Sequence, residues 1–415
     1  MATYFRKAYS DPKMQVARSG LSAVAPVLGQ QLFAQANVWD GHGEPLLPYC
    51  VFGLPFHALN FDAVVAALRA AMRTKRSVFL STPNVNFLVA CQSDTAFRDS
   101  VLLSDLSVAD GMPIVWMAKL LGLPIRQRVA GANLFEALCQ GTVARPAEQM
   151  AVYFFGGPEG AAKAACENLN RAPTDALPAL RCAGYASPGF GSIEDLSSPE
   201  IIQHINASGA DFLLVALGAR KGQNWILHNR QHLSPPLVSH LGAVINFVAG
   251  TIHRAPAFYQ RVGMEWLWRI QQEPALWLRY FKDALLLARL LLLRGIAQLV
   301  LEKCLGHLRA KAPAATVEIS ENTAGTQVKL KGVWVSSNRF RLWQALQSTA
   351  AHGLDIAIDM SDVEYIDCAL LGLLLHLRGI QMRKNRKLNI VTDSPLIRLI
   401  FYFSCVYYLL SYPVA

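Results

Sequence analysis

Between residue 51 and about residue 250, short apolar runs ending in small or polar turns alternate with segments whose apolar residues recur at helical spacing. Val51 to Leu54 is expected to open the first sheet, and Asp62 to Met72 to form an amphipathic surface helix. Ser77 to Leu80 is the next apolar run, stopped by Pro83. Phe87 to Leu103 has the helical period, and Leu106 to Ala109 is a further short apolar segment. Asp110-Gly111 then turns the chain into a helix with Pro113 in its first turn. Ala151 to Phe155 and Asp211 to Leu217 are two more buried strands, and Val244 to Phe247 is expected to be the last strand of this half. Strands alternating with helices in this way predict an α/β domain built on a parallel sheet.

The pattern changes after that. Gly263 to Tyr280 predicts two helical segments broken at Pro274 and rich in Trp. Ala284 to Leu301 is leucine-rich, but Arg289 and Arg294 interrupt it well short of the roughly 20 apolar residues a membrane span needs. A helix lying in a membrane interface and a buried helix between domains both fit it. Arg309 to Thr326 has the composition of a linker. A smaller α/β unit follows: strand Gln327 to Val335, helix Asn338 to Thr349, strand Asp355 to Met360, helix Ala369 to Arg383, strand Lys387 to Val391 and a final helix to Leu410.

Composition excludes disorder, since 53% of residues are hydrophobic and 16% charged. The net charge of +10 is uneven: residues 251–312 hold ten Lys/Arg against four acids. Leucines fill the gaps between these charges, which favours an anionic membrane surface over nucleic acid as the partner. The eight cysteines show no C-x-x-C pair and no metal spacing, so they are expected to be reduced thiols in a cytoplasmic compartment. No signal peptide is read in the first thirty residues.

Candidate chemistry sits at the ends of the apolar runs. Thr82 and Asn84 follow one and Asp110 another, where open α/β sheets hold ligands; Asp110 as a plain helix N-cap is the competing reading. Gly156 and Gly157 open a glycine turn before an Ala-rich helix, an arrangement that aims backbone N–H groups at a phosphate, although such turns also occur without ligands. Gly218 begins a second such turn, with Lys221 either facing a diphosphate or solvated. Arg254 is an anion-binding candidate because its planar fork suits phosphate oxygens.

These pieces, in this order, resemble the WecG/TagA/CpsF family of bacterial glycosyltransferases. The resemblance rests on Thr82-Pro83-Asn84, Ala109-Asp110-Gly111, Arg128-Val129-Ala130-Gly131, Phe247-Val248-Ala249-Gly250, Arg254-Ala255-Pro256, Gly263-Met264-Glu265-Trp266 with Arg269, and Glu273-Pro274. The chain departs from the pattern after Gly218. Lys221, Trp225 and Ile226 match, but Gly222 stands where a Gln is expected and Gln223 where a Glu is, so either Gln223 serves the donor from one position later or the donor contacts differ here.

The resemblance implies a Rossmann-like glycosyltransferase domain (50–282) that uses a UDP-sugar donor and an undecaprenyl-diphosphate-linked sugar acceptor, with inverting, metal-independent transfer and no cofactor. Asp110 would be the general base, Thr82 and Asn84 positioning groups, and Arg128, Gly156, Gly157, Gly218, Lys221, Gln223 and Arg254 the donor and phosphate binders. No D-x-D occurs in residues 1–310, so arginines, Lys221 and helix N-termini would meet the leaving-group charge.

Residues 326–412 resemble a STAS domain through Asp359, Ser361, Val363, Ile366 and Asp367, with Cys368 where that family carries a phosphorylatable Ser. This module is expected to dock a protein partner without a phosphorylation switch. Residues 1–49 are expected to be a loose extension, and 283–312 a basic interfacial segment and linker that holds the enzyme peripherally on the inner face of the cell membrane. Association with a second copy is left open. The competing functional class is a non-catalytic nucleotide-sugar-binding regulator that acts through the STAS-like module.

Overall fold

Period-two alternation inside the apolar runs decides the layers. Val78 and Leu80, Val152 and Phe154, and Phe212 and Leu214 lie in one hydrophobic cluster. Their neighbours Phe79, Tyr153, Phe155, Leu213 and Val215 lie in another. Both sets are buried, so the strands have no polar face, as in a parallel sheet covered on both sides.

A computed structural model describes residues 46–411 except 141, 144–148, 172–176, 257, 260–262, 275, 323–324 and 352–353. The extension expected over 1–49 therefore lies, as far as residue 45, outside the described residues. The strands of the first domain are β1 (Tyr49–Val51), β2 (Leu54–Phe56), β3 (Val78–Ser81), β4 (Leu106–Ser107), β5 (Thr142–Val143), β6 (Met150–Gly156), β7 (Leu177–Pro178), β8 (Leu180–Ala186), β9 (Phe212–Ala216) and β10 (Leu237–His240). Its helices are α1 (Phe61–Arg73), α2 (Val85–Ala90), α3 (Thr95–Leu102), α4 (Met112–Leu120), α5 (Gly131–Cys139), α6 (Ala161–Asn170), α7 (Pro199–Ala207), α8 (Ala219–Asn229) and α9 (Gly242–Ala249). Six strands pair in parallel in the order β4-β3-β10-β9-β6-β8.

Helices α1, α5, α6 and α9 bury Val64, Leu134, Ala161 and Val244 on one face of the sheet. Helices α7 and α8 bury Ile205 and Trp225 on the other. Trp225 is the anchor there, its ring stacked 4.4 Å from that of Phe155 and its Nε1–H donated to the Leu196 carbonyl at 2.8 Å. The chain leaves β6 outward to β8 and leaves β9 the other way to β10, so α6 and α8 cover opposite faces. This puts a topological switch point, and the crevice that accompanies one, between the carboxyl ends of β6 and β9.

Several expectations change here. Residues 51–54 do not join the sheet; β1 and β2 form a separate antiparallel hairpin packed against the C-terminal domain. Val244 to Phe247 is not a strand but the middle of α9, ended by Gly250 in the left-handed conformation; the last strand of the sheet is the preceding β10, which lies between β3 and β9. A short apolar run bounded by glycines satisfies either element, and here β10 already fills the place between β3 and β9. Not every thiol is reduced, because Cys166 of α6 and Cys182 of β8 face each other with Cα atoms 5.2 Å apart and form a disulfide.

The tail of the first domain consists of α10 (Glu265–Gln272), α11 (Leu276–Leu290) and α12 (Ile296–Leu305), with Pro274 separating the first two as expected. By length and composition alone, Leu276–Ala314 is apolar enough to cross a membrane. One face of it is nevertheless fixed to the protein. Asn86 Nδ2 donates to both oxygens of Asp283 at 3.1 Å, and Gln298 Nε2 donates to Cys368 Sγ at 3.1 Å and Ser404 Oγ at 3.2 Å. The opposite face leaves Trp277, Phe281, Leu285, Leu286, Leu292, Leu293 and Ile296 exposed. The segment thus packs between the domains on one face and leaves an apolar face exposed on the other.

The C-terminal domain comprises β11 (Thr316–Asn322), β12 (Gly325–Trp334), β13 (Ile356–Ile366) and β14 (Leu388–Val391), with α13 (Arg339–Ala351), α14 (Cys368–Arg383) and α15 (Pro395–Phe403). Its sheet order is β11-β12-β13-β14. β11 occupies part of the stretch expected to be linker, because Val317 and Ile319 alternate with polar residues and pack on the core as an edge strand. The final helix stops at Phe403 rather than Leu410, and Cys405 turns the chain with φ 61°. The two domains share apolar contacts: Cys50 and Leu102 belong to the same cluster as Leu370 and Leu374. Buried Asp105 ties them further, accepting from the Phe79 N–H and from Arg383 Nη1 of α14, both at 2.8 Å, and from Arg230.

Candidate active site

Three turns are sewn together at the carboxyl ends of β3 and β4. Val108 N–H donates to Ser81 O at 3.0 Å, Asp110 N–H to Pro83 O at 3.0 Å, and Val129 N–H to Ala109 O at 2.8 Å. Thr82, Asn84, Asp110 and Arg128 are therefore neighbours, as expected. Thr82 is buried, while Asn84 and Asp110 are half-buried. Asn84 spends Oδ1 on capping α2, accepting the Phe87 N–H at 3.3 Å, which leaves its amide N–H groups unused by the cap. Asp110 is not an N-cap: α4 begins after Gly111 without any side-chain cap. Its carboxylate instead faces the Gly131 N–H at the start of α5, which helps to hold its charge.

Burial dominates the electrostatics of Asp110 and pushes its carboxyl up to about 6. Arg128 and the Gly131 N–H pull it down, Glu265 pushes it up, and Arg269 pulls it down again. Arg128 Nη2 donates to Glu265 Oε1 at 2.8 Å with only 12% of its side chain exposed. Arg269 Nη2 lies 3.3 Å from Glu273, and its Nε is buried without a hydrogen-bond partner. Glu265 and Arg269 were not singled out as site residues from the sequence, although the Gly263 to Arg269 run that contains them was the signal. Gly263 rests on Met112, so α10 closes over the Asp110 turn.

A second group of expected residues lies farther along the same sheet edge. Gly156 needs its positive φ of 94°, and a Cβ there would stand 2.8 Å from Ala216 O. The next N–H, of Gly157, donates to that same carbonyl at 2.8 Å, closing the glycine turn onto the end of β9. Gly218 opens α8 just beyond it. The N-termini of α6 and α8 thus flank the switch-point crevice, where unpaired N–H groups favour an anion. Three to four strand spacings of about 4.8 Å, so about 14–19 Å, separate this crevice from β4 and Asp110.

Three expected donor contacts are engaged elsewhere. Gln223 is fully buried, its Nε2 donating to Ser81 Oγ at 3.0 Å, so it ties α8 to β3 and does not line the crevice. The departure at Gly222 has a packing cause, because a Cβ there would collide with the His240 ring. Lys221 donates to the Gly191 carbonyl, and Arg254 is held by Glu136 and Asn133 of α5. His240, missed from the sequence, is buried at the end of β10 between the two groups. Burial lowers its pKa to about 4, and its Nδ1 has no hydrogen-bond partner. Among the described residues, no three His, Cys, Asp or Glu side chains gather in a way that could hold a metal ion.

In the C-terminal domain, the turn before α14 is covered by α12. Cys368 is buried and receives the Gln298 Nε2–H, and Tyr365 OH donates to Glu302 at 2.9 Å. Burial raises the Cys368 thiol well above its ordinary value. A maleimide reagent is expected to label exposed Cys304 and to leave Cys368 unlabelled in the folded chain. Mass spectrometry of the labelled peptides checks this, and prompt labelling of Cys368 would contradict the packing described.

The family model for WecG/TagA/CpsF glycosyl transferases matches residues 49–299, and the model for Mlab-type STAS domains matches 317–403. The N-acetylglucosaminyldiphosphoundecaprenol N-acetyl-beta-D-mannosaminyltransferase of Bacillus spizizenii is 29% identical over 232 residues, covering 54% of this chain and 85% of that protein. The protein of the same description from Bacillus subtilis (strain 168) is 27% identical over 231 residues, covering 55% and 85%. A solved structure, a complex of SsGBP with GDP, aligns over 64% of this chain and 90% of its own at 13% identity, with a TM-score of 0.19.

Proposed function

The chain belongs to the WecG/TagA/CpsF family of glycosyl transferases, and from that premise we propose that it moves a sugar from a UDP-sugar to a sugar carried on a polyprenyl diphosphate. The observation that carries this reading is Asp110: a half-buried carboxylate, raised to about 6, that caps no helix and faces two arginines at the end of a parallel sheet. A base near that value holds its proton acceptor free at neutral pH yet can accept a proton in the transition state.

The proposed reaction is a single displacement. The acceptor hydroxyl gives its proton to the Asp110 carboxylate as its oxygen attacks the anomeric carbon. The bond from that carbon to the diphosphate oxygen breaks on the opposite side, so the configuration inverts and UDP departs. Thr82 and Asn84 hold the acceptor and sugar beside Asp110. Arg128 and Arg269, beside Asp110, meet the charge of the departing diphosphate, and the Gly156-Gly157 and Gly218 turns, farther along the sheet edge, receive the nucleoside end of the donor. Arg254 and Gln223 are assigned to holding α5 and α8 in place, because their polar groups already have protein partners. The outward apolar face of α11 and α12, in a segment of positive charge, is proposed to rest peripherally on the inner surface of the membrane that carries the acceptor.

The test is product formation. The full chain is incubated with a panel of UDP-sugars and a short-chain polyprenyl-diphosphate N-acetylglucosamine, and the lipid product is weighed by mass spectrometry. UDP-N-acetylmannosamine heads the panel because both relatives carry that sugar in their description. Addition of one sugar is expected; tight binding of the donor without product would leave a nucleotide-sugar sensor instead. EDTA is expected to leave the initial rate unchanged, since the charge compensation proposed comes from arginines. Activity that appears only with Mn²⁺ or Mg²⁺ would contradict it.

A further inference from the structure

A cavity of about 420 Å³ lies where the β1–β2 hairpin, the loop between α2 and α3, the α11–α12 junction and the tail after α15 meet. It is not part of the site described above: α2 starts at the Asn84 cap beside Asp110, whereas the cavity is lined by Val89, Cys91 and Gln92 at the opposite end of that helix. Three arginines, Arg98, Arg289 and Arg294, line it. Arg98 has only 14% of its side chain exposed, and its guanidinium lies 3.5 Å over the Tyr408 ring. Its Nε is buried without a hydrogen-bond partner, the Asp99 carboxylate standing 3.8 Å away. Arg294 lies 4.6 Å over the Tyr402 ring, and exposed Arg289 has no ion pair among the described residues.

The rest of the wall is hydrocarbon. Leu286, Leu290 and Leu293 line the cavity, and Leu286 and Leu293 are 48% and 62% exposed, so its rim runs into the outward apolar face of α11 and α12. Cationic forks inside and leucines at the mouth suit one molecule that is anionic at one end and apolar at the other. A small soluble anion would satisfy the arginines and leave the leucine rim in water. We propose that this cavity binds the phosphate of an anionic phospholipid, with its acyl chains lying on the leucine rim. Because Cys405, Tyr407 and Tyr408 form one wall, the C-terminal module completes the site, which gives that module a task inside its own chain. The proposal is independent of the transfer reaction and does not fall with it.

Calorimetry on the full chain with dihexanoylphosphatidylglycerol, kept below its micellar concentration, tests the proposal. One lipid per chain is expected, with dihexanoylphosphatidylcholine about tenfold weaker or more, since each cation near a lipid phosphate strengthens binding severalfold. Arg98→Gln combined with Arg289→Gln should weaken the anionic lipid about tenfold or more, and Leu293→Trp should do so from the rim without touching a charge. Lys282→Gln, on the same helix but outside the cavity, should bind like the wild type. Thermal melting of each variant shows that it is folded. Absence of lipid binding by the wild type, undiminished binding by both cavity variants, or glycerol phosphate and inorganic phosphate binding as tightly as the lipid would overturn the proposal.

Discussion

Asp110→Asn is expected to lower turnover by about 10²-fold or more while the protein melts no lower than wild type. The amide keeps the shape of the side chain and still fits beside the Gly131 N–H, but it cannot take the acceptor's proton. The sign of the stability effect follows from the direction of the shift. The Asp110 carboxyl is held up at about 6, above its ordinary value of 3.8. The folded chain therefore keeps a proton that the unfolded chain has lost between about pH 4 and pH 6, and stability falls as pH rises through that window. Above it, ionised Asp110 is a cost that Asn does not carry. Steady-state rates with a melt at pH 8 check both halves. Wild-type turnover would remove Asp110 from the chemistry, and a large drop in melting temperature would make it a structural residue.

Arg128→Ala is expected to cut kcat/KM by about 10²–10³-fold, the usual loss when one preorganised group facing developing charge is removed. A second effect separates this role from simple packing. Arg128 lowers the Asp110 pKa and pairs with Glu265 at 2.8 Å. Without it, Glu265 stands uncompensated beside Asp110, and the acid limb of the rate profile should move to higher pH. Adding Glu265→Gln should move that limb back without restoring the rate. Arg128→Lys should hold the limb nearer its place but recover only part of the rate, since a lysine lacks the planar fork. A profile unmoved in all three variants would detach Arg128 from the site.

The strands of the large sheet were legible because both of their faces are apolar, which leaves little choice of element for runs such as Ala151 to Phe155 and Asp211 to Leu217. Asp110 was legible as a candidate because it ends one of those runs. Its release from helix capping was not, since that depends on Gly111 starting α4 and on α5 arriving to offer the Gly131 N–H. Glu265 and Arg269 escaped for the same reason: α10 folds back from far along the chain, and no local period reports where it lands. Val244 to Phe247 was misread because a short apolar run has no period to distinguish strand from helix. Gln223 was assigned by position, whereas burial against Ser81 made it a tie between α8 and β3. The Cys166–Cys182 pairing depends on α6 lying against β8, a contact that scattered cysteines cannot announce.

The pH dependence of kcat/KM for sugar transfer tests the base assignment most directly. The wild-type chain is predicted to lose rate tenfold per pH unit below an apparent pKa of about 6, set by burial of Asp110, and to level off above it. A profile flat from pH 5 to pH 8 in an active enzyme, or one that keeps its acid limb in the Asp110→Asn variant, would contradict the assignment.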